Sequence, residues 1–315
     1  MKTEWLALVI AVLLAASPSP YHQSATEGAT GQSKTEIYQF SSAEQRAVIP
    51  FELRQNTIFL KVKIAGSDEP LDFTFDTGSG STYLDTAVAK RLGLKPSGSG
   101  TVHGAGSGEV PVEYLDSVTL ELAGLTSSGH RLKVTNLSGL KPHQDGFVGY
   151  DFIKRFAITI DYAAAKMTIA DPSTFTYSGP GESFPVKFRG PWPYIDGTVV
   201  VSGVKPESGE FLVDSGSSDA VDEPSIAKTT GPVRKVQTGV GLGQPGEGVV
   251  GRALYLQLGS FRLEGPIDSC CSENPDQKRM IGTEVLRRFT VILDYARSRI
   301  ILEPNTHFKD PFPDA

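Results

Sequence analysis

The chain has 315 residues, 39% of them hydrophobic, and a net charge of −6, which allows a sizeable core and, at about 150 residues per domain, about two domains. Acidic and basic residues are interspersed and no basic run carries interleaved aromatics, so a nucleic-acid partner is excluded. The only cysteines are the neighbours Cys270 and Cys271 and the five histidines are scattered, which excludes a disulfide framework and leaves no zinc pattern; no metal or cofactor is expected.

In chain order, residues 1–17 read as a secretory signal or an N-terminal anchor, with Lys2, an apolar core from Leu6 to Ala16, then Ser and Pro. Crossing a bilayer takes about 20 apolar residues, so this core is short for a span. Export to a periplasmic or extracellular space is expected, with membrane contact only if the segment is retained. Residues 18–46, rich in Ser, Thr, Gly and Gln, read as a flexible linker, with order expected from about Ala47.

Leu71, Phe73 and Phe75 alternate with Asp72 and Thr74, the period of a half-buried strand, and carry the chain into Asp76-Thr77-Gly78-Ser79. By itself such an Asp is a turn former, because Asp accepts local backbone bonds and Gly supplies positive φ. A brief helix is expected over Ala87 to Leu92. After it come the Gly-rich VHGAGSGEV (102–110) and GFVGYDFIKRFAITIDYAAAKMTIA (146–170), which reads as an apolar pair, Gly149, a short amphipathic helix and two strands. Residues 47–172 therefore form one β lobe, 173–183 a joint, 184–305 a second β lobe and 306–315 a tail.

The second lobe repeats the first. FLVDSGSSDAV (211–221) again runs an apolar strand into Asp214-Ser215-Gly216-Ser217, and RMIGTEVLRRFTVILDYARSRIILE (279–303) repeats the closing element through Gly282. Pro50 and Pro185 are 135 apart, Gly66 and Gly203 are 137 apart, Asp76 and Asp214 are 138 apart, and both Gly149 to Gly282 and Asp161 to Asp294 are 133 apart. A nearly constant offset means internal duplication. The expected fold class is all-β, two pseudo-twofold-related lobes of short strands. A vicinal bridge between Cys270 and Cys271 would need a distorted peptide, so free or buried thiols are expected.

These residues resemble the pepsin and retropepsin-like aspartic proteases. Asp-Thr-Gly-Ser at 76–79 and Asp-Ser-Gly-Ser at 214–217 match the family's paired active-site loops, and Phe147-Val148-Gly149 and Met280-Ile281-Gly282 match its hydrophobic-hydrophobic-Gly element. The resemblance spans about Ala47 to Glu303, with lobes of retropepsin size fused in one chain, as in bacterial-type aspartyl proteases. It implies an endopeptidase in which Asp76 and Asp214 meet across the pseudo-twofold axis, share a proton and activate a water. It implies that Gly78 and Gly216 allow close approach, that Ser79 and Ser217 donate to the outer carboxylate oxygens, and that Thr77 and Ser215 hold the loops together. VHGAGSGEV resembles the flap tip, with His103 at the position where Tyr is usual, followed by Gly104 and Gly106; His103 is then expected over the dyad, adding a titration near neutral pH, or else exposed in a hairpin. TGVGLG (238–243) is its second-lobe counterpart.

The partner implied is a peptide or protein substrate, and dimerisation is not required because both aspartates lie in one chain. A non-catalytic peptide- or glycan-binding protein of the same fold is the rival, although such proteins usually lose an active-site Asp or Gly and here both sets are intact. A protease dedicated to one partner is a third reading. Gly241, Gly243 and Gly246 spell a dinucleotide fingerprint with no helix to receive phosphate, and no GxSxG elbow is present.

Overall fold

The computed structural model describes residues 37–238, 241–270 and 279–314. The predicted signal or anchor at 1–17 and most of the predicted linker lie outside these. Three β-sheets organise the described chain. A 9-stranded sheet belongs to the first half, a 10-stranded sheet to the second, and a 6-stranded sheet takes strands from both.

The shared sheet records the duplication directly. Its central strands, Ala157–Asp161 and Phe289–Asp294, pair antiparallel with Thr159 opposite Ile292. Those two residues are 133 apart, the offset of the closing elements, so the pseudo-twofold axis passes between a residue and its own repeat. Arg46–Pro50 and Lys166–Ala170 extend the sheet on one side, Arg299–Pro304 and Glu182–Pro185 on the other.

Within each lobe the sequence pattern becomes a crossed arrangement of strands. Leu71–Phe75 buries Leu71, Phe73 and Phe75 completely while Asp72 stays half-buried. Gly146–Val148 lies parallel to it and antiparallel to Tyr83–Asp85. In the second lobe Met280–Ile281 is parallel to Glu207–Val213 and antiparallel to Val221–Asp222. The predicted helix after the first loop is Thr86–Arg91, capped by Asp85, whose carboxylate accepts from the Ala87 amide at 2.7 Å. One apolar cluster, including Phe73, Phe75, Phe152, Phe211 and Phe289, runs through both lobes and the middle sheet, so burial at about 25 cal/mol per Å² ties the halves into one body.

Two boundaries differ from the sequence reading. Order starts before Ala47: Tyr38–Phe40 pairs with Leu125–Thr135, because Phe40 is buried and Tyr38 and Phe40 both meet the ring of Phe156 edge-on. Residues 306–314 are also held. The guanidinium of Arg288, 0% exposed, donates to Glu284 at 3.1 Å and to the carbonyls of His307, Asp310 and Pro311, and stacks on Phe312 at 3.7 Å. Cys270 is buried as expected but disulfide-bonded rather than free; its bonding partner falls outside the described residues.

Removing Arg288 leaves Glu284 paired with Arg287 at 2.7 Å but takes away the buried donor of the His307, Asp310 and Pro311 carbonyls. Arg288→Met is therefore expected to lower stability by about 1–3 kcal/mol, read as a fall in the urea midpoint, with Phe312→Ala also giving a loss.

Candidate active site

Each predicted loop hangs from a strand end by one backbone bond. The Asp76 amide donates to the Val148 carbonyl at 3.1 Å, and the Asp214 amide to the Ile281 carbonyl at 3.0 Å. The elements ending in Gly149 and Gly282 thus fix where the aspartates emerge. Both glycines are packed too closely for a side chain, since a methyl on Gly149 would run into the Ser79 and Ser81 carbonyls and one on Gly282 into those of Ser217 and Asp219.

The loops are clasped across the axis by a reciprocal set of bonds. The Thr77 hydroxyl donates to the Val213 carbonyl at 2.7 Å and accepts from the Ser215 amide at 2.9 Å. The Ser215 hydroxyl donates to the Phe75 carbonyl at 2.9 Å and accepts from the Thr77 amide at 3.1 Å. Thr77 and Ser215 are 2% and 1% exposed, so these bonds face no competition from water.

The clasp sets the two carboxyls close together, each beside the glycine of the opposite loop. Each loop's glycine presses on the opposite aspartate: a methyl on Gly78 would overlap the Asp214 carboxyl, and one on Gly216 the Asp76 carboxyl. Gly78 donates its amide to Asp76 Oδ1 at 2.9 Å, while Asp214 Oδ1 receives two amides, from Gly216 at 2.9 Å and Ser217 at 3.2 Å. Burial, and then the neighbouring charge of Asp214, hold Asp76 well above the usual carboxylate range. Burial raises Asp214 too, with backbone amides opposing the shift. The two acids therefore titrate as a coupled pair.

The serine hydroxyls do something other than the resemblance implies. Ser79 donates its hydroxyl to the Ser81 carbonyl at 2.8 Å, and the Ser217 hydroxyl accepts from the Asp219 amide at 3.2 Å. They close local turns, and the carboxylate contact of Ser217 runs through its backbone amide.

Gly98–Val102 and Val110–Leu122 form a hairpin. Its tip meets the second-lobe hairpin: Gly106 donates to the Leu242 carbonyl at 2.9 Å, and Ser107 and Gln244 exchange both backbone bonds, at 2.9 and 3.0 Å. Gly104 lies against Leu242, where a methyl would collide with its carbonyl. His103 does not sit over the carboxyls. Its side chain is 76% exposed, with Nδ1 3.3 Å from the Gly108 carbonyl and Nε2 4.0 Å from Glu109, because the bridged backbone closes the inner side of the tip. The counterpart read as 238–243 includes residues 239 and 240, outside the described set.

Residues 60–152 match the family model described as an aspartyl protease. That stretch is similar to an aspartyl-protease domain of the retropepsin/pepsin-like type. No curated protein matches the chain. The matched stretch contains the first loop, its hairpin and Gly149, and the second lobe supplies the same parts by repetition.

Two residues that support the loops were missed in the sequence. Trp192 donates its indole N–H to the Gly78 carbonyl at 2.9 Å, and the Asn56 amide donates to the Ser218 carbonyl at 3.2 Å and to Glu284 at 2.6 Å. Both come from the tips of repeated hairpins, in which Arg54 pairs with Thr57 and Arg189 with Trp192, again 135 apart. The signal was an amide or indole at a turn that the duplication carries to the opposite loop.

Thr77→Val and Ser215→Ala are each expected to cost about 1–3 kcal/mol in urea unfolding by leaving buried partners unmet. The double variant should lose less than the sum, since the two hydroxyls serve one clasp. The raised carboxyl of Asp76 has a signed consequence for stability. A folded acid whose pKa exceeds its unfolded value of 3.8 contributes stability below that value and loses it as pH rises through the folded pKa. Asp76→Asn should therefore raise Tm at pH 7 and change it little near pH 3, as read by calorimetry.

Proposed function

We propose that the chain is an aspartic endopeptidase in which Asp76 and Asp214 carry out general acid and base catalysis on a water. The observation that carries this reading is the pair of buried carboxyls set face to face, Asp214 against Gly78 of the first loop and Asp76 against Gly216 of the second, both raised by burial.

In the proposed step the ionised Asp214 takes a proton from water as the water oxygen attacks the scissile carbonyl carbon. Protonated Asp76 gives its proton to the carbonyl oxygen, producing a neutral tetrahedral gem-diol. Collapse returns a hydroxyl proton to Asp76 and moves the proton on Asp214 to the leaving nitrogen, so the pair ends as it began. The bridged hairpins cover the site and would grip extended substrate backbone. Trp192 and Asn56 are positioning residues, since they hold loop carbonyls rather than touch the reacting atoms.

The test is incubation of the chain with a diverse peptide mixture, reading new termini by mass spectrometry beside Asp76→Asn and Asp214→Asn. Each variant should fall in kcat/KM by at least about 100-fold, the lower end of what a proton-transferring side chain contributes. Cleavage retained in a folded variant would remove the aspartates from the chemistry. The pH profile should be bell-shaped, its acid limb set by ionisation of Asp214 and its alkaline limb by loss of the Asp76 proton. Because burial raises both groups, the optimum should lie above the strongly acidic range; an optimum at or below pH 3 would contradict the assignment.

A further inference from the structure

On the strand Leu125–Thr135, Leu132 and Val134 are buried in the main core at 0% and 2%. Lys133, between them, therefore points to the opposite face of the sheet. It pairs directly with Tyr83 on one neighbouring strand and Tyr114 on the other, and Tyr83 pairs with Phe147 on the next. Directly paired residues share a face, so Phe147, Tyr83, Lys133 and Tyr114 form a row across four strands.

This row lies beneath the bridged hairpins. Tyr83 and Phe147 stack with ring centroids 4.6 Å apart and form, with Val112 and Leu137, a small apolar cluster separate from the main core. Val102 of the first-lobe hairpin and Leu242 of the second-lobe tip pack against it. The shelf adjoins the first loop, since Phe147 precedes Val148, whose carbonyl holds the Asp76 amide, and Tyr83 pairs with Phe147; burial, then the charges of Asp151, Tyr114 and Asp76, push the Tyr83 phenol up to about 12.

Lys133 is the one cation in this row. Its ammonium is 5.6 Å from the centre of the Tyr83 ring, and desolvation holds it below the usual lysine range despite the pull of Asp151. Asp151 is itself engaged, accepting from the Thr82 hydroxyl at 2.6 Å and the Thr82 amide at 3.0 Å. Among the described residues Lys133 makes no ion pair. A half-buried cation whose opposing charge, Asp151, is engaged elsewhere and whose neighbour Arg131 is a second cation gains when a carboxylate arrives.

We infer that Lys133 is a specificity-determining residue that selects substrates carrying Glu or Asp two residues away from an apolar side chain seated on the Tyr83–Phe147 shelf. The inference rests on the peptide-cleaving reading above for the use of the cleft. The spacing is set by strand geometry. Lys133 stands two strands from Phe147, roughly 10 Å between backbones and less at the flexible ammonium, while side chains on one face of an extended peptide recur about every 7 Å. An acidic residue at the second position along thus meets the ammonium while its apolar partner takes the place over the buried rings that Val102 and Leu242 hold when the tips are together.

The test uses two sets of matched peptides, with Glu, Gln or Lys placed two residues to either side of an apolar residue at the cut. Wild type, Lys133→Met and Lys133→Glu are compared by kcat/KM, with Tm measured to show that each is folded. Binding of the same peptides to Asp214→Asn, with and without the Lys133 changes, is read by fluorescence anisotropy. Wild type should favour Glu over Gln in one set by about tenfold, the effect of one charge-assisted contact. Lys133→Met should erase the preference and Lys133→Glu should turn it toward Lys. Equal preference in all three folded chains would overturn the inference even if cleavage itself is robust. If no peptide is cut but the binding preference for Glu appears and inverts with Lys133→Glu, the inference stands and the catalytic reading falls; flat binding as well as absent cleavage overturns both.

Discussion

Two carboxylic acids forced together in a nearly dry notch are mutually repulsive once both ionise, and the structure is arranged around containing that repulsion. The containment is covalent only at a distance. Locally it is four hydrogen bonds between two hydroxyls and the backbone of the opposite lobe, in a region closed to water, where bonds keep most of their electrostatic strength. Without them the loops would drift apart, the carboxyls would hydrate separately, and each would titrate as an ordinary aspartate. The shared sheet, with Thr159 facing Ile292, does the same at longer range by making the axis part of the core.

Near-symmetry of the frame does not make the pair equivalent. One carboxyl receives one backbone amide and the other receives two. Because an amide donor favours the charged form, the two acids sit in different surroundings although their loops repeat. Fusion of the repeats into one chain is what makes this possible: a homodimer must present the same loop twice, whereas a single chain can let its copies diverge. The same freedom allows Trp192 on one side and Asn56 on the other to reach across to the opposite loops.

Much of the frame was legible in the sequence because its signals are periodic or sterically absolute. Alternation in Leu71–Phe75 gives a strand whatever it pairs with, and glycines at 78, 149, 216 and 282 occur where no side chain fits. The constant offset between repeats exposed the duplication. What escaped depended on tertiary choices. Tyr38–Phe40 joins a sheet edge that only the folded lobe creates, and the outward turn of His103 follows from two tips meeting, which a local motif cannot express. Ser79 and Ser217 fit two hydrogen-bonding schemes equally well in sequence, and the local turn won because its partners are two residues away. Lys133 is silent in sequence for another reason: a lysine between two core residues on a strand ordinarily faces solvent, and here the face it points to is roofed.

The roof has an energetic scale. Three backbone hydrogen bonds join the two hairpin tips, in segments that water reaches freely. Solvent-exposed bonds of this kind contribute at the low end of about 0.5–1.5 kcal/mol each, so the three are worth on the order of 2 kcal/mol, with the packing of Leu242 on the Tyr83–Phe147 cluster in addition. A closure of that size can open without unfolding either lobe, and an extended segment needs a narrower opening than a folded body. The strength of three exposed hydrogen bonds would thus act as a sieve for flexibility in whatever enters.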